Sequence, residues 1–315
     1  MKNITVFAVL VIMLHCPQFA FTQEESSASY AVSTWPEFGM LFGQAKEIVF
    51  PFDTKAELLS LLSWDIKPVF YYGLAMDFSR AQPLARWGFF ANLSLKNGLP
   101  GISGKMEDQD WMSKEYTALT HYSVHDNFTE KLFFFDISTG FSIPLKHILL
   151  MKTYLTVSYM YVSLYAENGY YNYTPPFGDG KKHPIDGKVI NYTQNWLIIA
   201  PGVSLGYYFN TRFYTELVFQ ISPLVFCNDL DEHLRTGIQY RDYMRGGLFI
   251  EPGLHFSYIV GKRLELSLKF TWRYIDGTRG ETYAGALSTH IFEQQGEAGG
   301  GLSVIGTGLC LKIRL

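Results

Sequence analysis

A strict alternation of apolar and polar side chains runs through residues 264–274 and limits the possible folds more than any other feature of this chain. The apolar positions are Leu264, Leu266, Leu268, Phe270, Trp272 and Tyr274. The positions between them are Glu265, Ser267, Lys269, Thr271 and Arg273. A period of two is that of a β-strand with one apolar and one polar face. The segment therefore predicts a long amphipathic strand.

The same period recurs along most of the chain. It is clear over 213–222 and over 64–78, where we expect one continuous apolar face from Trp64 to Phe78. It returns near 38–50, 87–97, 132–143, 153–167, 190–209, 244–260 and 302–315. These segments amount to about ten long strands, and no amphipathic helix of comparable strength accompanies them. The fold class is predicted to be all-β.

The N-terminus has the pattern of an export signal. Lys2 is followed by an apolar run, Ile4 to Leu14, which is too short to span a membrane as a helix. Residues 1–22 are predicted to be a signal peptide, and residues 23–315 a single domain. A lipid-modified Cys16 is an alternative use of this segment. Cys227 and Cys310 then remain in the mature chain, where they could pair, although two cysteines do not indicate a disulfide framework.

Composition and strand length limit which kind of all-β fold is possible. The formal net charge of −3 leaves no basic footprint for nucleic acid. Aromatic residues make up 17% of the chain, and the alternating segments are longer than the strands of a soluble sandwich. An exported chain of long strands predicts a ten-stranded antiparallel transmembrane β-barrel in the bacterial outer membrane, where closure removes the sheet edges that lipid could not satisfy.

Connection lengths orient this barrel. The short links are residues 79–86, 144–150, 209–212 and 260–263. The long links are residues 51–60, 98–130, 168–189, 228–240 and 277–299. In outer-membrane barrels the short turns face the periplasm and the long loops face outward. We therefore expect long extracellular loops, and we expect Glu47, which shares its parity with Gly43 and Ala45, to point into the barrel.

Two of the long links carry acidic motifs with a spacing of two. Asp108 and Asp110 lie in the second long link, and Asp229, Asp231 and His233 lie in the fourth. In an extended chain such residues point to one side, and close carboxylates can share a proton, which suits acid and base chemistry. Solvated loop residues are the simpler interpretation. A divalent cation held by the carboxylates and the single histidine is another.

Around these motifs the sequence resembles the omptins, the outer-membrane aspartyl proteases of Gram-negative bacteria. The resemblance rests on two motifs on a ten-stranded barrel and on flanking segments, and it covers nearly the whole mature chain. These segments are Met106-Glu107-Asp108-Gln109-Asp110-Trp111-Met112, Asp229-Leu230-Asp231-Glu232-His233, Ala45-Lys46-Glu47, Leu62-Ser63-Trp64, Tyr192-Thr193-Gln194 and Arg279-Gly280.

The resemblance implies roles for individual residues. The catalytic set would be Asp108, Asp110, Asp231 and His233. Glu47 and Asp229 would hold the basic side chain before the scissile bond. His121 stands where the family has an acidic residue for the subsite after that bond, so a second basic residue is expected to matter less here.

The expected function is a surface-exposed endopeptidase that cleaves proteins or peptides after Arg or Lys. Its active site would face the extracellular side. No cofactor or metal is expected, although the resemblance implies dependence on lipopolysaccharide, and the expected partners are substrates and outer-membrane lipid. The alternative is a non-proteolytic barrel that acts as an adhesin or a small channel.

Overall fold

The structure is a computed structural model that describes residues 30–51, 58–113, 115–289 and 291–315. The predicted signal peptide lies outside the described residues. Fifteen strands make up one sheet: β1 (Tyr30–Phe50), β2 (Ser60–Arg80), β3 (Gly88–Gly98), β4 (Gly101–Asp110), β5 (His121–Lys146), β6 (Leu149–Tyr173), β7 (His183–Pro184), β8 (Lys188–Tyr208), β9 (Phe213–Ser222), β10 (Val225–His233), β11 (Ile238–Arg245), β12 (Leu248–Ile259), β13 (Leu264–Asp276), β14 (Arg279–Ala286) and β15 (Glu293–Arg314). Within these ranges no helix is long and apolar enough to cross a membrane.

The sheet closes on itself through antiparallel pairs. Going round the ring, the order is β1, β2, β3, β5, β6, β8, β9, β12, β13 and β15, and β15 pairs again with β1. Four further strands extend this ring: β4 continues β3, β10 continues β9, β11 precedes β12, and β14 continues β13. The fifteenth, the two-residue β7, pairs with the end of β6. The chain is thus an all-β, ten-stranded antiparallel transmembrane barrel, as predicted.

The two faces of the wall follow the predicted register in β13. Leu266, Leu268, Phe270 and Trp272 are exposed on the outside, whereas Ser267 between them is buried. Lys269 reaches inward to Glu37, with 3.0 Å between Lys269 Nζ and Glu37 Oε2. Apolar side chains therefore form an outer belt for lipid, and charged side chains fill the lumen.

The prediction of one continuous apolar face in β2 is wrong. Trp64 and Ile66 are fully buried inside the barrel, whereas Phe70 and the even positions after it face outward. The cause is a bulge, because Leu41 pairs with Val69 while Gly43 pairs with Ile66. One extra residue on β2 reverses the face of everything beyond it.

The prediction that the acidic motifs lie in loops is also wrong. Residues 98–130 contain β4, and residues 228–240 contain the end of β10 and the start of β11. The wall continues past the apolar belt on the side of the long links, so both motifs lie on paired strands. The short links all lie at the opposite end of the barrel, as predicted. Cys227 and Cys310 are both free and buried.

Candidate active site

The first acidic motif is held against β2. Asp108 pairs with Leu62 and Asp110 pairs with Ser60 across the β4–β2 ladder. Leu62 also pairs with Glu47 of β1 on its other side. Glu47 and Asp108 therefore stand at the same height of the wall, and Glu47 points inward as predicted, with only 2% of its surface exposed.

The second motif lies on β10 in the same upper part of the barrel. Asp231 pairs with Tyr192 of β8 and with Tyr240 of β11. Asp229 and Asp231 are both buried, and they share a face with His233 because side chains alternate along a strand. Strand pairing on both sides therefore fixes the orientation of the three side chains.

Asp231 and His233 form a close pair. The distance from His233 Nε2 to Asp231 Oδ2 is 2.6 Å, and about a quarter of the His233 side chain (26%) is exposed. Burial lowers the pKa of His233, but the neighbouring carboxylates, Asp231 most strongly, together outweigh it and raise the pKa to about 9. The second ring nitrogen, Nδ1, has no hydrogen-bond partner among the described residues and is available to a water molecule.

The two motifs act on each other electrostatically. Burial and the Asp110 carboxylate raise the pKa of Asp108 to about 8, and the charge of His233 opposes this rise. Burial also raises the pKa of Asp110. Both aspartates in turn raise the pKa of His233. The structure thus brings the four residues predicted to be catalytic close enough to interact through their charges, and the space between them is called the cleft below. The gap that one water would bridge between Asp108 and His233 stays a prediction.

Beside the cleft lies a concentrated group of buried acids. Burial and the charges of Asp231 and Asp229 raise the pKa of Glu47 well above its usual value. The Glu47 Oε2, Asp229 Oδ1 and Asp231 Oδ1 atoms are buried without a hydrogen-bond partner. Within the described ranges no Lys or Arg forms an ion pair with these carboxylates, so the group is ready to accept an external cation.

A chain of side chains from β8 supports Asp229. Tyr192 Oη donates to Asp229 Oδ2 at 2.9 Å, and Gln194 Nε2 donates to Tyr192 Oη at 2.8 Å. Trp196 Nε1 donates to Gln194 Oε1 at 3.1 Å, and the Tyr192 ring stacks on Trp64 with 5.1 Å between centroids. Every second residue of β8 contributes, so the alternation of Tyr192, Gln194 and Trp196 was the signal that could have revealed this support.

The sequence reasoning did not single out Asp242 of β11. It pairs directly with Asp229 in the β10–β11 ladder and is 1% exposed. Its parity with Tyr240 and Met244 marks it as inward-facing, but its position opposite Asp229 depends on a register that the sequence does not show. Asp242 is a third acid beside Glu47 and Asp229.

His121 borders the cleft on its other side. It is the cross-strand partner of Asp110, and its ring packs against Tyr173 at 4.3 Å and against Phe177 at 5.0 Å between centroids. His121, Tyr173 and Phe177 thus form an aromatic surface on this side of the cleft. Among the described residues, no group of three or more His, Cys, Asp or Glu side chains is arranged as a metal site.

Comparisons with known proteins agree with this geometry. The family model of the Omptin family matches residues 28–310. The plasminogen activator of Yersinia pestis is 25% identical over 298 residues, which cover 90% of this chain and 89% of that protein. The crystal structure of the outer membrane protease OmpT from Escherichia coli superimposes with a TM-score of 0.82 at 20% identity, covering 93% of this chain and 100% of that one. The chain belongs to the Omptin family, whose barrels lie in the outer membrane and carry their active sites at the cell surface.

Proposed function

We propose that this protein is an outer-membrane endopeptidase that cleaves proteins or peptides after Arg or Lys at the cell surface. One observation carries the proposal: a His–Asp pair and an aspartate pair lie beside buried carboxylates that form no ion pair with a Lys or Arg among the residues the structure describes. Family membership supports the protease activity, and the acidic group supports the preference for a basic residue.

The proposed chemistry uses a water molecule held between Asp108 and His233. Asp231 binds Nε2 of His233 and so leaves Nδ1 to accept a proton from the water. The hydroxide oxygen bonds to the scissile carbonyl carbon as the proton passes to Nδ1. The C–N bond then breaks, and the imidazolium returns the proton to the leaving amine. Asp231 stabilises the imidazolium, in the manner of a serine-protease aspartate, and Asp110 sets the proton balance of the aspartate pair.

Substrate recognition follows from the same charges. A P1 Arg or Lys would enter the space between Glu47 and Asp229, whose unpartnered oxygens accept charge-assisted hydrogen bonds. A bound cation there would also lower the pKa of His233 from about 9, because like charges repel. Binding the correct residue would therefore free the base for catalysis.

The test is cleavage of quenched peptides by detergent-refolded protein. We expect cleavage of peptides that contain Arg-Lys or Arg-Arg and none of the matched Ala peptide. His233→Ala should abolish cleavage of every peptide. His183→Ala is the matched control, because His183 also pairs with an aspartate, Asp179 at 2.8 Å, but stands exposed. Equal cleavage of Arg-P1 and Ala-P1 peptides would contradict the acidic pocket.

The same assay addresses the remaining alternatives. Folded protein that cleaves nothing, with and without added lipopolysaccharide, would favour the adhesin or channel. Activity that appears only with lipopolysaccharide would support the glycolipid dependence that the family resemblance implies. No cofactor enters the proposed steps.

A further inference from the structure

Asp242 is a buried acid that the proposed mechanism does not use. Its side chain stands on β11 directly across from Asp229 and next to Thr282 of β14. Only 1% of its surface is exposed, and neither carboxylate oxygen meets a donor in hydrogen-bonding geometry in the part of the chain that the structure describes. The Thr282 hydroxyl and the Asp229 carboxyl stand close enough to lower the pKa of Asp242 against the effect of burial. Such a group is costly to bury unless something pairs with it.

The Asp242 carboxylate borders the acidic pocket that Glu47 and Asp229 form. Asp242 pairs with Asp229, and Asp229 shares an inward face of β10 with Asp231, so the three carboxylates point into the same part of the barrel. Burial and the charges of Asp231, Asp229 and Asp242 raise the pKa of Glu47, which agrees with this placement. The unpartnered oxygens around it are Glu47 Oε2, Asp229 Oδ1, Asp242 Oδ1 and Asp242 Oδ2. Burial raises the pKa of Asp242 to about 6, and burial and the charge of Asp242 raise the pKa of Asp229 well above its usual value.

The number and spread of these acceptors distinguish between basic side chains. A guanidinium is planar and presents five N–H donors in a fixed fork, so it can bridge several carboxylates at once. An ammonium is a compact point charge with three donors and a stronger attachment to water. A pocket with acceptors on β1, β10 and β11 matches the wider and more weakly hydrated cation.

We propose that Asp242 is a third carboxylate of the P1 pocket and that it makes the pocket select arginine over lysine. The inference rests on the proposed function, since it concerns the specificity of the same site. In this arrangement the unpartnered oxygens of Glu47 and Asp229 accept hydrogen bonds from either basic residue, and Asp242 supplies the additional acceptors that only a guanidinium can reach together with the other two.

The experiment compares paired peptides that differ only in Arg or Lys at P1. Wild type should cleave the Arg peptide with the higher kcat/KM. Asp242→Asn keeps the shape of the side chain and removes its charge, and it should lower the Arg/Lys ratio by at least about tenfold. Glu281→Gln is the control, because it makes the same charge change at an exposed position on β14, where Glu281 pairs with Tyr243 of β11. It should leave the ratio unchanged.

A second measurement does not depend on the variant folding. Butylguanidine should inhibit the wild type at lower concentration than butylamine, and equal inhibition would overturn the inference. A wild-type protein that cleaves neither peptide would contradict the proposed function itself. If the wild type cleaves basic peptides but folded Asp242→Asn keeps the wild-type Arg/Lys ratio, the proposed function is supported and the proposed role of Asp242 is contradicted.

Discussion

His233 holds its proton more tightly than a histidine in water, because Asp231, Asp108 and Asp110 surround it with negative charge. A general base must be neutral, so kcat/KM should rise with pH through the pKa of about 9 of the free protein. In the substrate complex the P1 cation repels the imidazolium, so the limb of kcat should lie at lower pH. Profiles from pH 6 to 10 with an Arg-P1 peptide test this, since arginine does not titrate there. If kcat and kcat/KM rise at the same pH, no cation binds beside His233 in the substrate complex.

Glu47 links the stability of the barrel to pH. Burial and the neighbouring carboxylates raise its folded-state pKa, so the folded protein loses stability as pH rises from the ordinary pKa of a glutamate towards the raised value, and recovers it as pH falls back below the ordinary pKa. Glu47→Gln should therefore stabilise the barrel at pH 7 by roughly 1–3 kcal/mol. The variant should also lack the increase in stability that the wild type shows as pH falls. The temperature at which the folded band is lost on gel electrophoresis measures this.

The same variant should weaken catalysis. Removal of one partner of a shielded charge pair costs about 2–5 kcal/mol, so kcat/KM for Arg-P1 peptides should fall by tens-fold or more. Glu297→Gln, an exposed acid 3.5 Å from Arg279, is the control for both measurements. A Glu47→Gln protein that is less stable than wild type, or equally active, would show that Glu47 has a packing role instead.

At the scale of single strands, what the sequence predicts depends on whether the two faces differ in chemistry. In β13 the outside is apolar and the inside polar, so both the strand and its register could be read. In β10 the inward Asp229, Asp231 and His233 alternate with outward Asn228 and Glu232, so no hydrophobic contrast marks the strand. The sequence therefore predicts loops where the structure has the upper wall. It does not mark Asp242 for a related reason, because the significance of Asp242 comes from its pairing with another strand.

The seam between β1 and β15 gives an element-scale prediction. At Gly39 an added Cβ would overlap the carbonyl oxygen of Thr307 and lie 2.7 Å from the Tyr71 ring. Tyr71 crosses this seam and donates to Glu37 Oε1 at 2.7 Å. Gly39→Ala should cost about 1–3 kcal/mol and reduce the yield of folded barrel. Gly261→Ala has open space around its Cβ and should fold normally. Normal folding of both variants would mean that β1 and β15 can make room for a methyl group at Gly39 at little cost in stability.

Across the whole molecule, the lumen and the cleft are separate charged layers. Glu37 of β1 binds Lys96 of β3 at 2.8 Å and Lys269 of β13 at 3.0 Å. Arg273 joins Glu251 and Asp136, and Lys152 lies 2.9 Å from Glu216. These pairs link strands across the interior, whereas Glu47 stands about 33 Å further along β1 at the rise of an extended strand.

This separation predicts that stability and activity can be altered independently. Glu37 is buried, and Glu37→Gln leaves two half-buried lysines short of a counter-charge, so the barrel should lose about 3–5 kcal/mol of stability. Where the variant is still folded, its kcat/KM for an Arg-P1 peptide should equal that of wild type, since the cleft lies in the other layer. Asp126→Asn, which removes an exposed partner of Lys105, should change neither quantity. A Glu37→Gln barrel that stays fully folded but cleaves poorly would show instead that the lumen and the cleft are coupled, and that the charged layer below sets the geometry of the active site.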